Sequence, residues 1–170
     1  MKKKTLFWIS LVFTLLIFTA INAFDKHLKN DLVPNGIVSF QFAKSLNSSL
    51  KMINSWDAEA KVYAALSLGI DYLYLLTYGS FLALSVLLLA TKLPHGFLKK
   101  SAGKVASIII LAALLDGVEN YGSIRLLTGT HTQSMASLVY YCASVKFALI
   151  VIGIIYLLIG LVVLVFKTKN

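Results

Sequence analysis

The sequence predicts an all-α integral membrane protein: a four-helix bundle with an extracytoplasmic amphipathic helical segment between helices 1 and 2. Three observations carry this. Apolar residues make up 58% of the chain and charged residues only 14%, where soluble domains average about 25% charged. The apolar residues gather into four runs, each of at least 20 residues, which is enough to cross a bilayer as a helix. No run contains proline, so each can be one continuous helix. The 170 residues are read as a single membrane domain. This composition excludes a disordered chain and an ordinary cytosolic enzyme.

The first run is 5–24, preceded by Lys2, Lys3 and Lys4. A basic start before an apolar core also fits a signal peptide. Ile21 at the −3 position of a cut after Ala23 is poorly suited to cleavage, and the reading adopted is an uncleaved first helix. The second run is 62–91 and carries Asp71. The third, 105–127, carries Asp116, Glu119 and Arg125, and the fourth, 136–166, carries Lys146. Pro94 and Gly96 mark the loop between the second and third helices, and Thr128-Gly129-Thr130 begins the next.

The segment 25–61 is the one long connection. From Gly36 to Trp56 its apolar residues Ile37, Phe40, Leu46, Leu50 and Ile53 recur at a spacing that suits a helix with one apolar side. It is expected either to lie on the outer membrane face or to pack onto helix ends.

Lysine distribution sets the orientation. The net charge of +9 alone would suggest nucleic acid, but the lysines cluster beside the apolar runs, so no nucleic acid partner is expected. With both termini in the cytoplasm, nine lysines fall inside; the longer outer segments hold six basic residues, Arg125 among them. The expected partners are the lipid bilayer and either another membrane protein or a second copy of the chain.

Charges inside spans are costly and need partners or water. On the third helix Asp116, Glu119, Asn120 and Ser123 are spaced i, i+3, i+4, i+7 and share a face. Ser67, Asp71, Tyr74, Tyr78 and Ser85 form a stripe on the second helix. Cys142, Lys146, Gly153, Tyr156 and Gly160 form one on the fourth. Counted from the cytoplasmic edge of each run, Asp71 and Lys146 fall at the outer interface, with Glu119 about 8 Å and Asp116 about 12 Å below it. The expected site is therefore a polar cluster of Asp71, Asp116, Glu119, Lys146 and Arg125, with Asn120, Tyr74 and Tyr78 as hydrogen-bonding neighbours. Asp116 and Glu119, one turn apart, would repel each other if both were ionised.

No catalytic residue, metal site or cofactor is assigned. The one cysteine, Cys142, cannot form an intramolecular disulfide, and His27, His95 and His131 lie in expected loops without metal-ligand spacing. No phosphate loop, dinucleotide fingerprint or Ser-His pairing is present. Three uses of the cluster remain open. It can bind or pass a small ligand, an ion or a lipid headgroup through an outward-facing pocket. It can fix helix packing in a structural or accessory subunit. It can also perform acid–base chemistry on a lipid.

Three stretches carry a resemblance. They are Pro34-Asn35-Gly36-Ile37-Val38-Ser39-Phe40 followed by Trp56; Leu68-Gly69-Ile70-Asp71-Tyr72-Leu73-Tyr74 running to Tyr78-Gly79; and Leu115-Asp116-Gly117-Val118-Glu119-Asn120. Together they resemble a group of small bacterial integral membrane proteins with four spans and no assigned activity. The resemblance covers about residues 34–127 and implies a bacterial inner-membrane location. It carries no substrate, cofactor or catalytic residue.

Overall fold

Each of the four apolar runs folds as one unbroken helix, and each helix is longer than its run. The computed structural model describes residues 2–167. Its long helices are α1 (Lys3–Asp25), α4 (Ala58–Lys92), α5 (Phe97–Leu127) and α6 (Gln133–Lys167), with two short ones, α2 (Ile37–Gln41) and α3 (Leu46–Ser55), between α1 and α4. No strand occurs among the described residues. The four long helices are apolar and long enough to cross a membrane.

Local chemistry explains the extra turns. α4 starts at Ala58 because the Asp57 carboxylate accepts a hydrogen bond from the Ala60 N–H at 2.7 Å, satisfying a donor the helix leaves free. α5 starts at Phe97, eight residues before the apolar run, so Lys99, Lys100 and Lys104 sit on helix rather than loop. Hydropathy marks where a helix enters lipid, not where it begins.

The connection between α1 and α4 is not one amphipathic helix from Gly36 to Trp56. It breaks between Gln41 and Leu46, where Lys44 adopts a left-handed φ of 61°. Ser45 restarts the helix as its N-cap, its hydroxyl accepting from the Ser48 N–H at 3.1 Å. Gln133, the first residue of α6, holds the break by accepting from the Leu46 N–H at 2.9 Å. At the start of α2, Gly36 has φ 56° and ψ −133°, a region only glycine enters freely. The Asp25 carboxylate caps α2 from a distance, accepting from the Ile37 N–H at 2.7 Å.

These short helices pack onto one end of the bundle. Leu28, Val33, Phe40, Ile53 and Trp56 form a core with Ala64 and Leu68 of α4, Leu126 of α5 and Val139 of α6. The Trp56 indole donates to the Leu28 carbonyl at 2.8 Å, which closes the segment on itself. This end is called the cap end below.

Within the bundle, α4 and α6 flank α5, and α1 packs closely on α4 alone among the long helices. α5 lies against both α4 and α6. Small residues allow it: a Cβ at Gly153 would sit 2.9 Å from the Ile109 side chain, and one at Gly160 would sit 2.6 Å from Leu89. α1 packs along α4 through rings, Phe7 against Phe81 at 5.3 Å and Phe18 against Tyr74 at 6.1 Å between centroids. It makes almost no contact with α6. A cleft therefore runs between α1 and α6, floored by α4.

Candidate functional site: a polar cluster in the cleft between α1 and α6

The polar cluster lies at one level of the bundle. Asp71 is 21 residues from Lys92, Asp116 is 19 from Phe97 and Lys146 is 21 from Lys167. At about 1.5 Å per residue these positions agree to within roughly 3 Å. The expected offset of Asp116 disappears because α5 begins at Phe97 rather than Val105.

Lys146 is the hub. Its Nζ donates to Asp116 Oδ1 at 2.6 Å and stands 2.8 Å from Glu119 Oε2. The second contact is an ion pair by distance without hydrogen-bond alignment, so neither Glu119 oxygen has a hydrogen-bond partner. The Tyr78 hydroxyl donates to Asp116 Oδ2 at 2.9 Å. All four side chains are buried. This part of the cluster is locked: each charge is held by an opposite charge from a neighbouring helix, which is how buried ions are tolerated.

Asp71 and Asn120 form a second, more open part. Asn120 Nδ2 donates to Asp71 Oδ2 at 2.6 Å. Asn120 is 0% exposed, yet its Oδ1 has no partner. Asp71 is half-buried and makes no ion pair among the described residues. Tyr74, half-buried, packs its ring on Tyr78 at 5.1 Å and on Phe18.

The open part faces a cavity of about 430 Å³, within the size range of small-ligand sites. Asp71, Asn120, Asp116, Lys146, Tyr74 and Tyr78 supply its polar wall. Phe18 and Ile21 of α1, Phe81 and Leu82 of α4, and Ile150 and Ile154 of α6 supply its apolar walls. Ile37, Val38 and Gln41 of α2 close the cap end. A second cavity of about 600 Å³ occupies the far half of the same cleft, between Lys4 and Lys92.

Arg125 does not join the cluster. It lies nine positions beyond Asp116, half a turn out of phase, and its side chain is exposed without an ion pair. The charge balance changes accordingly: three carboxyls share one ammonium. Glu119 lies behind Lys146 and does not line the cavity.

Two site residues have no signal in the sequence. Thr14 of α1 is 9% exposed, lines the cavity and has an unpartnered hydroxyl. In contrast, Thr19 on the same helix donates back to the Leu15 carbonyl at 2.9 Å. Gln41, 5% exposed, lines the cavity from α2. Each reads in sequence as an ordinary polar residue, and only tertiary packing brings it to the site.

The remaining titratable candidates lie elsewhere. His27, His95 and His131 are exposed, and His27 stacks on Tyr63 with ring centroids 3.9 Å apart. Cys142 is a buried free thiol. Among the described residues no group of three His, Cys, Asp or Glu converges to hold a metal ion.

Comparison with known proteins finds no matching family, no matching curated relative and no matching solved structure.

Proposed function

We propose that this chain is an intramembrane binding protein that admits an amphiphile sideways from the bilayer through the cleft between α1 and α6. The ligand's apolar chain lies along the cleft, and its polar end meets Asp71 and Asn120. The observation that carries this reading is the cavity of about 430 Å³, lined mainly by apolar side chains with the polar cluster on one wall. A charged side chain at membrane depth ordinarily faces a bundle interior or a cavity, and Asp71 faces a cavity. The protein sits in a bacterial inner membrane with both termini cytoplasmic and the cap end outside, which the lysine bias supports.

Two experiments test this. Ile150→Trp places a large ring in the cavity wall, and amphiphile retained through purification should fall while helix content stays unchanged. Retention equal to wild type would contradict the reading. For orientation, Lys51→Cys on α3 and Lys99→Cys on α5 are compared in a Cys142→Ser background. A membrane-impermeant thiol reagent should label position 51 and spare position 99 in intact cells; the reverse pattern would invert the topology.

The locked part of the cluster favours a second reading for its own residues. Lys146 pairs with Asp116 and Glu119, and Tyr78 donates to Asp116, so contacts among these four join three helices and support a role in fixing their register, as for buried polar groups between spans. On this division Asp71, Asn120 and Thr14 handle ligand, and the other four hold the wall in place.

A further inference from the structure

We propose that the polar end recognised by this cavity is an ammonium group, so that the ligand is an amphiphile bearing a protonated amine beside Asp71 and Asn120. This rests on the reading of the cavity as an amphiphile site and adds the chemistry of the headgroup.

The charge inventory points this way. Asp71, Asp116 and Glu119 are matched at this level by Lys146 alone, because Arg125 is exposed elsewhere. Lys146 is 6% exposed and gripped by two carboxylates. Its charge is already shared between those two carboxylates. Asp71 makes no ion pair among the described residues and accepts its hydrogen bond from a neutral amide. An anionic headgroup would meet an uncompensated negative wall, whereas a cationic one neutralises it in a low-dielectric setting.

Hydrogen-bonding capacity gives the second, independent argument. Two cavity-lining side chains at least nine-tenths buried carry acceptor oxygens with no partner: Asn120 Oδ1 and Thr14 Oγ1. Buried polar atoms without partners are uncommon in folded proteins. Asn120 is hydrogen-bonded to Asp71, so these two bring acceptor oxygens to one place; Thr14, one turn from Phe18 on α1, adds a hydroxyl farther along the cavity. A primary ammonium brings three donors and no acceptor. A hydroxyl headgroup brings one donor and leaves the charge unanswered.

The cavity is also long enough for the chain. From Asp71 to Leu82 it follows α4 for about 16 Å, comparable to an extended dodecyl group. The polar end lies toward the cap and the apolar end toward the bilayer middle, as for a lipid of the leaflet on the cap side.

The test uses native mass spectrometry of the full-length chain released from detergent, titrated with n-dodecylamine and n-dodecanol. Wild type should hold the amine about tenfold or more tightly than the alcohol, the size of a hydrogen bond to a charged group. Asp71→Asn keeps an acceptor for Asn120 and should lower amine binding to the level of the alcohol. Asp71→Glu should restore most of the preference. Lysophosphatidylethanolamine and lysophosphatidylcholine then separate the sources. Binding of the first but not the second assigns the ammonium to a lipid headgroup; binding of dodecylamine alone assigns it to a free long-chain amine. Equal binding of amine and alcohol, or a preference that survives Asp71→Asn, overturns the ammonium assignment while leaving the amphiphile site intact. If neither probe binds, or if Ile150→Trp binds both as wild type does, the underlying site reading fails as well.

Discussion

The seam between α5 and α6 and the cleft between α1 and α6 border the same helix, yet one is closed and the other is open. At the seam, Gly153 meets Ile109 and Gly122 meets Val139 at distances that leave no room for a Cβ. In the cleft, α1 packs on α4 but scarcely touches α6, which leaves a cavity on each half of its length. The charged residues differ as well. Lys146 pairs with Asp116 and Glu119 across the seam, while Asp71 borders the cavity with no ion pair among the described residues. Side-chain size thus decides where the bundle seals, and the seal decides which polar groups are structural.

The sharpest way to break the closed side is to remove its hub. Lys146→Met strands Asp116 and Glu119 in the bundle and should cost about 3–5 kcal/mol, read by unfolding in mixed detergent micelles. Adding Asp116→Asn and Glu119→Gln should recover much of that loss. Overpacking comes next. Gly160→Leu forces α6 away from Leu89 and should cost about 1–3 kcal/mol, seen as a lower thermal midpoint. A change on the open side should behave in the opposite sense. Thr14→Val removes a buried hydroxyl that no protein group satisfies. It should leave stability unchanged or raise it by up to about 1 kcal/mol, while amphiphile retention falls. A stability loss as large as that of Gly160→Leu would show that α1 is sealed as tightly as the other helices.

Much of the bundle was legible because its signals are periodic. Long apolar runs without proline give four helices, and the spacing of Asp116, Glu119, Asn120 and Ser123 puts them on one face, where all four are buried. Placing Arg125 in the cluster neglected its half-turn offset from Asp116, which puts it off that face. The ends of α4 and α5 were less so, because capping by Asp57 and the basic turns before Val105 carry no hydropathy. The break at Lys44 depends on Gln133, 89 residues away in sequence, and no local pattern encodes it. Thr14 and Gln41 reach the site only through packing between helices distant in the chain.

The central claim is that the cleft between α1 and α6 admits an amphiphilic chain to the level of Phe81. It is tested most directly by tryptophan quenching in lipid nanodiscs. Phe81→Trp, in a chain with Trp8→Phe and Trp56→Phe, reports from the cavity wall; Leu16→Trp in the same background, at a position 61% exposed on α1 and outside both cavities, reports from bulk lipid. A single-chain amine brominated near its tail should quench the cavity reporter saturably, and unbrominated amine should reverse it. The Leu16→Trp reporter should be quenched only in proportion to the amount of brominated amphiphile in the disc. Proportional, non-saturating quenching at both positions would mean that the cleft is ordinary lipid-facing surface, and the binding account would be wrong.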